Sequence, residues 1–188
     1  MAPPIDPSWV DFRTKDDRSL GDLSGSKCHL LVFFRHSGCT FCREAVDDIA
    51  KVRPQLLDDG AEAILVHHGD EHRFLRLLRD TGLEACPRVH DPERKLYHAF
   101  GLTDARLDQW LSPGSMLRSV EAILAGHGWA FPDGSSLQMP GLFAIHDRKV
   151  LVSYYHRNVS DRPDYLAVAR EAMKRIEAPP RKAKAAAR

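Results

Sequence analysis

The chain has 188 residues, 43% of them hydrophobic and 28% charged, with a formal net charge of +1. That length suits one domain with its own core, and the composition is that of an ordinary globular protein. A net charge near zero excludes a global field for nucleic acid or anionic membrane, and only four cysteines, Cys28, Cys39, Cys42 and Cys86, exclude a disulfide-dense secreted scaffold.

Residues 1–18 are rich in proline and charge and are expected to form an extended N-terminal arm. They show no basic segment followed by an apolar one, so no signal peptide is expected. No apolar run approaches membrane-spanning length, and a reducing, cytoplasmic setting follows as the expectation. Residues 19–27 read as a turn feeding the first strand, Leu30-Leu31-Val32-Phe33-Phe34, whose continuous apolar character marks it as buried. Ser37-Gly38 breaks that strand. A helix follows, with Val46, Ile49, Ala50, Val52, Leu56 and Leu57 at helical spacing. It stops at Asp58-Asp59-Gly60, and Pro54 should kink it.

Residues 61–68 form the next strand, parallel to the first if the helix between them is a right-handed crossover. Asp70-Glu71 opens a helix with Phe74, Leu77 and Leu78 as its inner stripe, and Thr81-Gly82 ends it. A short strand and turn over 87–91 precede a short helix reaching Phe100. Residues 103–137 read as an insertion, helical from Met116 to Leu124. A β-hairpin about Asp147-Arg148-Lys149 comes next. The last helix is expected to be capped by Ser160-Asp161, with Pro163 near its first turn and Leu166, Ala169, Met173 and Ile176 facing inward. Pro179-Pro180 ends it, leaving a basic tail over 179–188. The expected fold is α/β: a central mixed sheet flanked by helices across 19–178, with the insertion placed before the C-terminal hairpin.

The chemistry concentrates at Cys39-Thr40-Phe41-Cys42, where a strand hands over to a helix N-terminus. Unpaired N–H groups and the positive end of the helix dipole stabilise a thiolate there, and the two-residue spacing lets the pair close a disulfide across one turn. Half of a zinc site and two ordinary structural cysteines are the competing readings, but no second C-x-x-C or H-x-x-x-H follows at finger spacing. Thiol redox chemistry is therefore expected. Cys39 is the better attacking thiol and Cys42 the resolving one. With a hydroperoxide as substrate the roles reverse, Cys42 forming the sulfenic acid and Cys39 condensing with it.

Arg35, His36 and Arg43 are candidates to lower a thiolate pKa, with Thr40 and Phe41 as further supporting residues; the competing readings are a strand-end charge for Arg35, a solvated helix residue for Arg43 and a solvent-facing ring for His36. Cys28 and Cys86 read as small buried residues. His67-His68 with His72 suggests a metal at first sight. Neighbouring strand residues point to opposite faces, so no metal site is assigned, and no cofactor is expected.

The element order with C-x-x-C at the first strand–helix junction resembles the thioredoxin fold. More closely, the chain resembles the peroxiredoxin-like branch related to the alkyl hydroperoxide reductase and thiol-specific antioxidant family. The residues that carry this are Leu20-Gly21-Asp22-Leu23-Ser24-Gly25, the run 33–44 around the cysteine pair, the run 91–102 with its D-P-x-x-x-L-Y-x-x-F-G-L pattern, and the run 138–145. Together they span most of 19–176. Peroxiredoxins carry P-x-x-x-T-x-x-C. Setting the last Cys on Cys42 puts Arg35 in the proline position and Cys39 in the threonine position, while Pro140 stands where an activating arginine precedes a G-x-F strand. The resemblance thus implies a peroxiredoxin-like frame holding a disulfide oxidoreductase's site.

It further implies a cis Met139–Pro140 bond lying against the cysteines, with the Met139 backbone open to a substrate chain. The implied partners are a thioredoxin or glutathione system as reductant and a disulfide or hydroperoxide as substrate, without nucleic acid or membrane; oligomeric state is left open. Two functions follow: a thiol–disulfide oxidoreductase cycling Cys39 and Cys42 with weak hydroperoxide reduction, or a redox-sensing interaction module without turnover.

Overall fold

Strand β1 (Cys28–Phe33) is the centre of a five-stranded sheet, and every residue of that strand is buried. The computed structural model describes residues 3–105, 121, 123–127 and 130–178. Most of the helix expected over 116–124 and all of the tail 179–188 lie outside the described residues. The sheet order is β3 (Arg88–His90), β2 (Ala61–His67), β1, β4 (Gly141–His146), β5 (Lys149–Tyr155). β1 is parallel to β2, as expected from the crossover helix α2 (Thr40–Asp58), and antiparallel to β4. The sheet is therefore mixed and the class α/β.

Alternation along β1 splits the core in two. Leu30, Val32 and Phe34 pack with Val46 and Ile49 of α2 and Ala169 of α5 (Tyr165–Glu177). Leu31 and Phe33 face the other side, among Trp9, Tyr97, Phe100 and Phe143. Both faces of the strand are covered, which is why its sequence reads as one apolar run rather than an alternating one. Helix α3 (Glu71–Asp80) links β2 to β3 and seats Phe74 and Leu78 in the first of these clusters. The short helix α4 (Lys95–Ala99) seats Leu96 and Tyr97 in the second.

Several local expectations need correction. The stretch expected as an extended arm is bound to the body: residues Pro7–Asp11 form a 3-10 turn, Trp9 is 3% exposed, and the Asp6 N–H donates to the Ala99 carbonyl at 2.8 Å. One buried tryptophan outweighs the proline-rich flanks. Residues 19–27 are a helix rather than a turn, α1 (Leu20–Ser26), because the Ser19 hydroxyl caps it by accepting from Asp22 N–H at 3.0 Å.

α2 runs unbroken through Pro54, where the proline predicts a kink. The last helix starts later than expected, with Asp164 as its cap accepting from Ala167 N–H. Ser160 and Asp161 are used elsewhere, Ser160 on the Asn158 side chain and Asp161 on Tyr154 and Arg157. The β4–β5 hairpin stands where expected, with Asp147 and Arg148 both at positive φ, 47° and 56°, matching the twist of the strands.

The carboxyl edge of the sheet is tied together by Tyr97, whose hydroxyl donates to the carbonyls of Phe34 at 2.5 Å and Val66 at 3.1 Å. The end of β1 is thereby fixed just before the cysteine motif. No helix among the described residues is long and apolar enough to cross a membrane.

Candidate active site

Beyond β1 the chain turns at residues 34–38 and enters α2 with Cys39 as its N-cap and no side-chain cap bond of the usual kind. The helix end therefore offers its N–H groups to the cysteine sulfur. Cys39 and Cys42 are both thiols, 6% and 5% exposed. Cys42 donates to Cys39, and this hydrogen bond is the main influence bringing the Cys39 thiol down to about 6 against its burial. The Arg35 guanidinium and the backbone N–H groups of Cys42 and Phe41 act in the same direction. Cys42 is pushed well above the ordinary thiol range, because it is the donor of that bond and is also desolvated. Arg35 touches both sulfurs: Nη1 lies 3.4 Å from Cys39 Sγ, and its backbone N–H donates to Cys42 Sγ at 3.3 Å.

A strap formed by residues 130–138 closes over this motif. The Asp133 carboxylate accepts from the Ser37 N–H at 2.9 Å and from the Ser37 hydroxyl. The Ala130 N–H donates to the Gly38 carbonyl at 3.1 Å, and the second Arg35 nitrogen donates to the Ser136 carbonyl. Arg73 on α3 holds the same segment through the Phe131 carbonyl at 2.9 Å and lies 3.9 Å from Asp133. Gly38 is required by this closure, since a Cβ there would sit 2.4 Å from the Ala130 carbonyl oxygen.

The supporting residues divide. Arg35 lies against both cysteines, as described above. Arg43 reaches the Ser37 carbonyl at 3.2 Å rather than a sulfur. His36 is buried instead of solvated, and burial followed by the adjacent Arg35 charge brings its pKa down to about 4. It is therefore neutral at pH 7 and lends no positive charge to a thiolate, which corrects the expectation made of it. Thr40 is buried in the first turn of α2, and Phe41 lines a cavity on the Cys42 side.

Pro140 lines the same cavity as Cys42, but the Met139–Pro140 bond is trans: the described residues contain no cis peptide. The Met139 backbone is already engaged, its N–H on the Thr103 carbonyl at 3.0 Å and its carbonyl on Gln138 Nε2 at 3.1 Å. Those two bonds occupy the groups that a substrate chain would have needed. The cis-proline analogy fails here for that reason.

Sequence reasoning misses the strap, with Asp133, Ser136 and Ala130, some 90 residues from the cysteines. Its only local signal is the aspartate and glycine at 133–134 after a proline. Also missed is the face opposite the strap. There Tyr165 is buried beside Cys42, and Arg162 grips Asp48 at 2.5 and 2.6 Å and Glu44 at 3.3 Å.

Of the histidines, His67 and His90 do come near each other and Glu71, with ligand atoms within 4.8 Å. Their rings are stacked at 15° with centroids 4.8 Å apart, and Glu71 is already paired with Arg88 at 3.0 Å. His72 lies outside this group, and His68 points away to stack edge-on against Tyr97.

The sheet order, with a thiol pair at the head of α2, is that of a thioredoxin-like fold. A solved structure of peroxiredoxin 6 from Arenicola marina, a cysteine-to-serine mutant, superposes with a TM-score of 0.62 at 13% identity, over 94% of this chain and 73% of that one. Peroxiredoxin Q from Xanthomonas campestris gives 0.61 at 13% identity, over 94% and 98%. Among curated proteins, the chain is similar to peroxiredoxin-like 2C of Bos taurus, 29% identical over 107 residues. That match covers 56% of this chain and spans just under half of the relative, 46%.

The model of the AhpC/TSA antioxidant enzyme family matches residues 48–160, more than half of the chain, and the chain belongs to that family. The matched stretch begins six positions after Cys42, so the cysteine pair itself stands outside it.

Proposed function

We propose that the protein is a thiol–disulfide oxidoreductase that cycles Cys39 and Cys42 between dithiol and disulfide, with 19–178 as the unit that carries the reaction. The observation that supports this best is the division of the pair. Cys39 sits at the helix N-terminus with its thiol near 6, under Arg35, while Cys42 keeps its proton and gives a hydrogen bond to Cys39. A thiolate nucleophile beside a protonated resolving thiol is the arrangement exchange chemistry needs.

Cys39 attacks one sulfur of a substrate disulfide and the substrate S–S bond breaks, releasing the first thiolate. Cys42 then passes its proton to that thiolate, directly or through water, and attacks Cys39 in the mixed disulfide. The second substrate thiolate leaves and the Cys39–Cys42 disulfide remains. Two electrons have moved from the protein to the substrate. A dithiol or a pair of thiols, from a thioredoxin or glutathione system, resets the pair.

Hydroperoxide reduction is the lesser activity. A cavity of about 30 Å³ reaches Cys42 between Phe41, Pro140 and Tyr165, room for a molecule of peroxide size. The sulfur it meets is the protonated one, the poorer nucleophile.

Steady-state turnover of hydroxyethyl disulfide, coupled to a glutathione or thioredoxin system, tests the reading. Continuous cycling that needs both cysteines is the expected result. A pair that oxidises once and is not recycled by either system would overturn the enzyme reading in favour of a redox-sensing module. Peroxide reacting orders of magnitude faster than the disulfide would overturn the choice of substrate.

A further inference from the structure

On the α3 side of the motif lies an open pocket of about 200 Å³ lined by Ser37, Arg43, Arg73, Arg76, Leu77 and Asp80. Arg73, Arg76 and Asp80 stand three, four and seven positions apart, which puts them on one face of α3. Arg43 comes from the first turns of α2. Ser37 and Arg43 bracket Cys39 and Cys42 in sequence, and the bond from Arg43 Nε to the Ser37 carbonyl ties this wall to the cysteine motif.

The charge of the pocket is one-sided: three guanidiniums face one carboxylate, Asp80. Arg73 is partly neutralised by Asp133 from the strap. Arg43 and Arg76 have no ion-pair partner among the described residues. Scattered surface arginines are ordinarily just solvated. These share a concavity, where the field of each adds to the others, and guanidinium forks match the geometry of a carboxylate.

We infer that this pocket is an anion subsite of the exchange reaction. It holds a carboxylate of a small acidic disulfide, such as that of a γ-glutamyl tripeptide thiol, while the disulfide bond is presented to Cys39. The inference rests on the dithiol mechanism above and adds a substrate class to it. The chemical step is unchanged: one acidic disulfide is reduced to a thiol and a thiolate as Cys39 and Cys42 become linked.

The test uses the reduced full-length protein in single-turnover reactions with three disulfides of different charge: oxidised glutathione (anionic), hydroxyethyl disulfide (neutral) and cystamine (cationic). Arg76→Glu is expected to slow oxidised glutathione by roughly tenfold, to leave hydroxyethyl disulfide within about twofold, and to speed cystamine. Asp80→Asn should move the rates of the two charged disulfides the opposite way, by roughly two- to threefold, and about 0.5 M salt should flatten both patterns.

Equal effects on all three substrates, or no effect on any, would overturn the subsite. Failure of the wild-type protein to react with any of the three would instead overturn the dithiol mechanism, so the two failures are distinguishable. Arg76 and Asp80 are exposed, and the opposite signs expected of their variants separate a charge effect from a folding defect.

Discussion

Cys28 opens strand β1 and Cys39 lies just past its far end; both are almost completely buried, at 2% and 6% exposure. Their thiols are nevertheless driven in opposite directions, Cys28 up to about 11 and Cys39 down to about 6. Burial is the whole cause at Cys28, which sits among apolar side chains with nothing to stabilise a charge. Burial acts at Cys39 too, but there it is overcome by a donated S–H, a guanidinium and the open N–H groups of a helix. Desolvation makes a thiol inert; the donors brought to it decide whether it becomes a nucleophile.

The sharpest way to break the comparison is to delete each thiol. Cys39→Ser should abolish disulfide turnover, and Cys42→Ser should trap a mixed disulfide on Cys39 visible in the intact mass. Cys28→Ser should leave turnover within about twofold, since its thiol takes no part. Loss of activity in the Cys28 variant with its fold intact would erase the distinction.

Removing the guanidinium comes next in size. Arg35→Gln should move the Cys39 titration upward toward the ordinary thiol value of about 8.5 and cut its alkylation by iodoacetamide at pH 7 by roughly tenfold. Ultraviolet absorbance of the thiolate against pH reads this directly.

The pH dependence of stability gives a smaller but more discriminating signal. The Cys39 pKa is lower in the folded than in the unfolded chain. Its stabilising contribution to the reduced protein is therefore complete above the unfolded value, about 8.5, and lost as pH falls through about 6. Cys28 is raised on folding, so its contribution is complete below about 8.5 and lost as pH rises toward about 11. Denaturant midpoints of reduced Cys39→Ser and Cys28→Ser, compared with wild type across roughly pH 5 to 10, should diverge with opposite slopes.

The smallest effect expected is that of Asp133→Asn. It weakens the grip on Ser37 and should raise Cys39 labelling a few-fold at about pH 8, where the thiolate population is already saturated, with no change at Cys28. An unchanged labelling rate would show that the strap does not limit access.

Much of this is legible in the chain because it is local. The strand 30–34, the break at Ser37-Gly38 and the helix with Val46 and Ile49 at its core spacing are short-range patterns, and they place the cysteine pair. Arg35 is legible for the same reason, four residues from Cys39. What escapes is set by contacts far apart in sequence. Trp9 anchors the N-terminal stretch through packing on Phe100, which no local pattern of prolines reveals. Asp133 meets Ser37 across 96 positions. His36 reads as a free charge near the motif and is a neutral buried ring, because exposure cannot be read from adjacency. Pro140 shares a cavity with Cys42, but its isomer rested on analogy alone, and Thr103 and Gln138 claim the Met139 backbone.

Arg35 holds the Cys39 sulfur with one nitrogen and the Ser136 carbonyl of the strap with the other. Its attraction to Cys39 depends on the sulfur carrying charge, and forming a disulfide removes that charge. Any opening of the strap would therefore be coupled to the redox state of the pair, and linkage is reciprocal. Whatever free energy the thiolate adds to holding the strap shut, a shut strap adds equally to keeping the pair reduced. A partner that pries residues 130–138 away would make the same two cysteines easier to oxidise without touching either of them.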